Sequence, residues 1–270
     1  MADLRGSIFE FYSLEQLAGG TSVLHKLEAR AKIAGTFIYI IAVLSFRAGE
    51  ISGMTPFVLY PAIAIPLADI PQGMILKRCV VALPFCLFAG LSSLFFDRTV
   101  IFTLCGFSVT SGMMIMAAIL FRALLCVSAV LILMAVTPFR NLTAGLRTMH
   151  IPTVFIVLFE MTYRYIGILV AEALSMYTAY SLRSGGKKGV AMRDMGSFVG
   201  HLLLRSFSRA ERVWQAMKCR GYNGTFAASS GNRAIRCGDV LFLTLICGMS
   251  LLFRLVNIPY LIGGFITCLM

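Results

Sequence analysis

Long uncharged runs of apolar residues limit this chain to a membrane fold. Seven runs of 14 residues or more occur, at positions 33–46, 51–68, 79–96, 99–121, 123–139, 240–253 and 255–270. A helix of 18 residues rises about 27 Å, close to the thickness of the hydrocarbon core of a bilayer. Because lipid offers no hydrogen-bond partners, the backbone within it must pair internally. The sequence therefore predicts an all-α, polytopic integral membrane protein with about five or six transmembrane helices and additional long cytoplasmic helices.

Composition and charge placement support this class. Hydrophobic residues make up 59% of the 270 and charged residues 13%, whereas soluble domains carry about 25% charged residues. The net charge is +12, and positions 140–236 hold 14 basic and four acidic residues, a net charge of +10. Since basic loops stay on the cytoplasmic side, this segment and the N-terminus, with its basic cluster ending at Lys32, are predicted to be cytoplasmic. The same rule places a loop with Lys77 and Arg78 inside.

One arginine interrupts the apolar runs. A single tilted helix from about Ser111 to Thr137 would contain Arg122 and return the chain to the cytoplasm ahead of the basic segment. Two separate spans would place that segment outside, so the charge rule favours the single helix. A lone arginine at that depth is costly unless it pairs. We expect an ion pair, with Glu160 as its partner, rather than a contact used when helices move.

The chain is predicted to have three parts: 1–137, an N-terminal amphipathic segment and transmembrane helices; 138–236, the basic cytoplasmic region; and 237–270, a C-terminal transmembrane segment. The middle part contains a short helix over 139–150, a helix from Pro152 to about Arg183 and a third helix that ends before Gly221. The third helix carries an apolar stripe with spacings of four and three, and the preceding helix is its expected packing partner. The stripe consists of Leu203, Phe207, Ala210, Trp214 and Met217.

No residue pattern indicates catalysis or a resident metal. The chain lacks a phosphate-binding G-x-x-x-x-G-K-[ST] loop, a G-x-S-x-G elbow and an H-E-x-x-H pair. The eight cysteines form no C-x-x-C pair and are predicted to act as buried apolar residues. The N-terminus has no pattern of a removable signal peptide. We therefore expect no catalytic residue, no metal site, no cofactor and no nucleic-acid partner.

Three stretches resemble the transmembrane T component of energy-coupling factor (ECF) importers of the CbiQ/NikQ type, found in cobalt and nickel uptake systems. The first is SVLHKLEARAK at 22–32, where Glu28 and Ala29 replace the Asp-Pro of the family pattern. The second is TPF at 137–139 through Pro152, followed by YRY at 163–165. The third and most specific, at 211–224, ends in AMKCRGYNG. The resemblance extends from about residue 22 to the last helices.

The resemblance implies two coupling helices that each end in an x-Arg-Gly-like motif, whose arginine docks into a groove of one of two ATP-binding cassette ATPases. The second motif is Cys219-Arg220-Gly221, and the first is Leu182-Arg183-Ser184, where Ser184 replaces the expected glycine. A guanidinium offers five donors in a fixed fork, which suits carboxylates and carbonyls of a partner. A single arginine at the C-terminus of a helix is explained more simply by its favourable interaction with the negative helix end. Two arginines at corresponding helix ends favour docking.

The sequence thus predicts a non-catalytic energy-coupling scaffold in the bacterial inner membrane. It would link two ATPases, which hydrolyse ATP, to a CbiM-like substrate-binding membrane S component, with cobalt as the favoured substrate and nickel next. Two alternatives stay open: a self-contained permease, and a membrane enzyme or assembly factor with a basic cytoplasmic platform.

Overall fold

The computed structural model describes residues 18–20, 22–46, 51–96, 100–104, 107–149, 151–185, 189–222, 224 and 236–255. This part of the chain is predominantly helical. It divides into two compact units, one comprising Met1–Gly145 and Asn232–Met270, the other Leu146–Gly231. We call them the bundle unit and the two-helix unit.

The bundle unit contains α1 (Val23–Lys26), α2 (Ala29–Leu44), α3 (Ile51–Leu67), α4 (Gln72–Phe96), β1 (Val100–Leu104), β2 (Phe107–Thr110), α5 (Ser111–Val136), most of α6 (Phe139–Thr148) and α9 (Cys237–Leu255). Helix α3 tightens to 3-10 geometry over Thr55–Val58. The two-helix unit contains α7 (Thr153–Arg183) and α8 (Met192–Cys219).

Four described helices are long and apolar enough to cross a membrane, over Gln72–Ser93, Ser111–Val136, Thr153–Arg183 and Cys237–Arg254, and Ile51–Leu67 is a shorter apolar helix. The all-α, multi-pass class is therefore confirmed. One of the four is α7, which lies within the predicted cytoplasmic region. The predicted apolar span over 255–270 lies outside the described residues apart from its first position.

The single helix through Arg122 is confirmed, since α5 runs unbroken from Ser111 to Val136. One local feature was not predicted, and one local prediction was wrong. The segment before α5 contains a small antiparallel ladder, β1–β2, with Val100 opposite Thr110 and Leu104 opposite Phe107, because its β-branched and aromatic residues favour extended backbone. Lys77 and Arg78 lie within α4, not in a loop; the helix begins at the proline-led turn ahead of Gln72.

Aromatic side chains form the centre of the bundle unit. Tyr39 and Phe57 are fully buried, their ring centroids are 5.7 Å apart, and the Tyr39 hydroxyl donates to the Phe57 carbonyl at 2.9 Å. Helices α2 and α9 approach closely at Gly35, where an added Cβ would lie 3.0 Å from Cδ1 of Ile246. Small residues at such crossings allow helix backbones to pack in lipid.

Arg122 stabilises the end of α2. Its Nη2 donates to the carbonyl of Phe46 at 2.6 Å, and the Phe46 ring lies 4.7 Å from the Arg254 guanidinium carbon. A carbonyl just beyond a helix end has no intrahelical donor, and this partly buried guanidinium supplies one. Glu160 belongs to the two-helix unit, and its pairing with Arg122 stays a prediction.

Candidate functional site

Helix α8 ends in a Schellman motif centred on the predicted docking arginine. Arg220 is the C-cap residue, and Gly221 follows with φ +78°. The Gly221 N–H donates to the Lys218 carbonyl at 3.0 Å, and the Tyr222 N–H donates to the Met217 carbonyl at 3.0 Å. These are the two bonds that define the motif, and the left-handed backbone favours glycine. The motif fixes where Arg220 leaves the helix.

Helix α7 ends in a related but shifted arrangement. Arg183 is its last residue, Ser184 caps it by donating its N–H to the Tyr180 carbonyl at 2.9 Å, and Gly185 has φ +69°. The left-handed glycine therefore follows Arg183 by two positions but follows Arg220 by one. Ser184 at φ −85° needs no glycine, so its presence in the first motif leaves this helix end intact. A shift of one residue turns an arginine by about 100° around the helix axis.

The predicted docking residues lie on the surface of the two-helix unit. Leu182, Arg183, Cys219, Arg220 and Gly221 are exposed, and Ser184 is partly buried. A Cβ added at Gly185 or Gly221 would meet no atom within 4 Å. The glycines are thus required by backbone conformation and not by crowding, and both helix ends leave room for another molecule to approach.

The apolar stripe of α8 is exposed along most of its length. Leu203 is 54% exposed, Phe207 65% and Trp214 47%; Ala210 is also exposed and Met217 is partly buried. The partly covered face of α8 is the adjacent one, formed by Phe198, Leu202, Ser206, Arg209, Val213 and Met217. The prediction that the preceding helix covers the stripe was therefore wrong. Within the described residues of this unit, the stripe is exposed and can contact solvent, lipid or a partner.

Polar side chains connect α7 to α8. Glu172 on α7 accepts hydrogen bonds from Arg205 and from Nη2 of Arg209, the latter at 3.4 Å. Two arginines of α8 therefore pair with one acid of α7 within this unit. Sequence reasoning missed this acid because its partners are more than 30 positions away along the chain. The i, i+4 spacing of Arg205 and Arg209 was the available signal.

Two tyrosines order the connection between these helices. The Tyr180 hydroxyl donates to Oδ2 of Asp194 at 2.8 Å and accepts from the Ala191 N–H at 3.3 Å. The Tyr177 hydroxyl accepts from the Gly189 N–H at 3.1 Å. Asp194 also lies in the first turn of α8, where a carboxylate complements the positive helix end. These bonds, which the sequence did not indicate, hold the start of α8 near the end of α7.

Within the described residues, no group of three or more His, Cys, Asp or Glu side chains is placed to hold a metal ion. The features of the described chain are instead a multi-pass apolar bundle and two long helices that end in exposed arginines. These features define a membrane component that presents an interaction surface.

Comparison with known proteins places the chain within this class. It belongs to the CbiQ family, described as cobalt transport protein, whose model matches residues 20–230. It is 28% identical to the energy-coupling factor transporter transmembrane protein EcfT of Ruminiclostridium cellulolyticum, over 79% of this chain and 84% of the relative. It is 33% identical to the nickel permease LarQ of Lactiplantibacillus plantarum, over 36% of each chain. The cobalt transport protein CbiQ of Rhodobacter capsulatus is 31% identical over 40% of this chain and 45% of its own length. The chain is thus a membrane component of a transporter.

Proposed function

We propose that this chain is the energy-coupling membrane subunit of an ATP-driven importer of the ECF type. It transmits conformational change from two partner ATPases, which hydrolyse the ATP, to a separate substrate-binding membrane subunit. The complex lies in the bacterial inner membrane. The family description and the names of relatives favour cobalt as the transported ion, with nickel as the next candidate.

The observation that carries the proposal is the pair of exposed arginines at the ends of α7 and α8. Arg183 and Arg220 each stand next to a backbone turn with a left-handed glycine and open space around it. An arginine held at a helix end presents its planar fork in a restricted direction, which suits recognition of carboxylates and carbonyls in a groove. The pair of helices thus provides two arginine-bearing ends, one for each of the two proposed ATPase subunits.

Contacts inside the bundle unit support a cytoplasmic location for this surface. Nζ of Lys32, near the start of α2, donates to the carbonyl of Val136, the last residue of α5. The Glu28 N–H, just before α2, donates to Asp239 at the start of α9. The chain thus leaves α5 and enters α9 at one face of the bundle, so positions 137–235 cross the membrane an even number of times.

The requirement for an even number of crossings limits the position of α7, which is long and apolar enough to span a membrane. Helix α8 carries many charged side chains, which makes a crossing by α8 unfavourable. If α8 does not cross, α7 alone cannot cross either, and both helices remain on one side. The net charge of +10 over 140–236 supports the cytoplasm as that side, where ATP is available.

The exposed stripe of α8 supports the remaining partner. Leu203, Phe207 and Trp214 form an apolar surface that the two-helix unit leaves uncovered. A substrate-binding membrane subunit with an apolar face would bury this surface, and burial contributes about 25 cal/mol per Å².

The test is co-purification from native membranes, with Arg220→Glu compared with wild type. We expect the ATPases to be reduced about tenfold or more, because charge reversal leaves a buried partner group unpaired. Membrane insertion should be unchanged. The matched control is Arg212→Glu, an exposed arginine on the same helix two turns earlier, which should retain the ATPases.

Retention of both ATPases and of metal uptake by Arg220→Glu would contradict docking through this residue. Binding or conduction of metal by the purified chain alone would favour a self-contained permease. Salt-sensitive binding of polyanions without any ATPase would favour a basic platform of another kind. Uptake of radioactive cobalt in competition with nickel decides the substrate.

A further inference from the structure

Two buried charged residues of the bundle unit have no part in the proposed docking surface. Lys32 is 5% exposed and Asp239 is 4% exposed. Burying an ionised group is costly unless hydrogen bonds and an opposite charge compensate it. Both residues therefore need a specific environment, and the structure provides it at a single place, the beginning of α2.

Lys32 binds the end of α5. Its Nζ donates to the carbonyl of Val136 at 3.3 Å and to the carbonyl of His25 at 3.3 Å. Val136 is the last residue of α5 and has a carbonyl in the last turn, where helices lack internal donors and carry partial negative charge. The ammonium group thus holds the junction between α5 and α6, which precedes the two-helix unit along the chain.

Asp239 binds the point where the chain returns. Its Oδ2 accepts from the Arg236 N–H at 2.8 Å, and its Oδ1 accepts from the Glu28 N–H at 2.8 Å. Arg236 directly precedes α9, and Glu28 directly precedes α2. One carboxylate therefore caps the N-termini of two helices at once.

The two charges also affect each other. Burial lowers the pKa of Lys32 to about 8, and the nearby Asp239 charge opposes that shift. Lys32 is thus charged at neutral pH, with Asp239 contributing to its stabilisation. Buried charges stabilise a fold no more than apolar residues of equal volume, so the particular contribution of these two is the fixed geometry of their hydrogen bonds to the backbone.

We infer that Lys32 and Asp239, with the backbone groups of Glu28, Val136 and Arg236, form a clamp that fixes the end of α5 and the beginning of α9, which flank positions 137–235, to the start of α2. We call it the root clamp. This inference rests on the proposed function. The root clamp prevents the end of α5 and the beginning of α9 from moving separately, so that a movement that reaches either of them is transmitted to α2.

The test uses Lys32→Met and Asp239→Asn in the complete complex reconstituted in nanodiscs and liposomes. Lys26→Met and Asp69→Asn are the matched controls, since both residues are exposed near the same face. We expect Lys32→Met to retain the ATPases while the ATP hydrolysed per ion transported rises about tenfold, within the usual range of coupling between sites. In Asp239→Asn the Glu28 and Arg236 amides should exchange hydrogen about tenfold faster. The controls should match wild type in both measurements.

If Asp239→Asn fails to insert, Lys32→Met alone carries the test. If Asp239→Asn inserts, the double variant Lys32→Met/Asp239→Asn should lose no more coupling than Lys32→Met alone, because both changes release the same clamp. Unchanged ATP hydrolysis per ion in Lys32→Met overturns the clamp while leaving ATPase docking intact. Absence of ATPases from the wild-type complex overturns the proposed function, and the clamp's role in coupling with it.

Discussion

The two units of this chain use apolar side chains in opposite ways. In the bundle unit, large apolar residues from α2, α3, α5 and α9 are buried against one another. In the two-helix unit, Ile156 is the one fully buried residue on α7 and α8 carries none, within the part of the chain that the structure describes. Polar side chains connect α7 to α8, while the apolar stripe of α8 faces outward. The bundle unit therefore contains its own core, whereas the two-helix unit presents apolar surface for contacts outside itself.

The strongest test of this contrast replaces one phenylalanine in each unit. Phe57 is 0% exposed and Phe207 is 65% exposed. Phe57→Ala should lower the free energy of unfolding by about 3–5 kcal/mol because it leaves a cavity in the aromatic cluster. Phe207→Ala should change it by less than about 0.5 kcal/mol. Unfolding in mixed micelles measures both. Equal losses would mean that the stripe is part of an internal core.

A pair of glycine substitutions tests the same contrast at the backbone. An added Cβ at Gly35 would lie 3.0 Å from Cδ1 of Ile246 and 3.3 Å from Cε1 of Phe242, whereas at Gly196 of α8 it would meet nothing within 4 Å. Gly35→Ala should destabilise the bundle by about 1–2 kcal/mol through overpacking. Gly196→Ala should stabilise α8 by about 0.5–1 kcal/mol, because alanine loses less backbone entropy in a helix. Thermal unfolding in detergent measures the stability of both variants. If Gly35→Ala were more stable than Gly196→Ala, the contrast between a packed site at Gly35 and an open site at Gly196 would be contradicted.

The end of α8 provides a smaller and more local effect. Gly221→Ala forces a side chain into a backbone at φ +78° and should destabilise the helix end by about 1 kcal/mol. Gly221→Asn should lose less, since asparagine tolerates this conformation. The single tryptophan, Trp214, lies one and a half turns before the cap and its fluorescence reports the two-helix unit selectively. Identical unfolding curves for wild type and Gly221→Ala would exclude a structural need for glycine.

The smallest expected effect concerns the polar connection between α7 and α8. Glu172→Gln removes the charge that Arg205 and Arg209 share. It should lower stability by about 0.5 kcal/mol because Arg205 is largely exposed and the other two side chains are partly exposed. The loss should disappear in about 1 M salt, which screens such pairs. Glu211→Gln, at an exposed acid of α8, is the control and should show no loss. A large, salt-independent effect would mean that apolar contacts under Glu172 join the helices.

The sequence predicted much of this molecule because its strongest signals are local. Apolar run length predicted the spanning helices, and the charge rule predicted the uninterrupted α5 through Arg122. The spacing of Leu203, Phe207 and Trp214 predicted the helical stripe. Gly221 after Arg220 predicted the end of α8, since a left-handed cap depends on the residues that form it. The docking role of Arg183 and Arg220 remains a prediction that these local features support.

The tertiary structure decided what depends on distant residues. The spacing of the α8 stripe was visible in the sequence, but its exposure depends on where α7 lies. Glu172 could be linked to Arg205, and Asp239 to both Glu28 and Arg236, after folding had brought together positions up to 211 residues apart. Local backbone preferences determine which segments become helices, and the long-range burial of a few charges determines how those helices are joined.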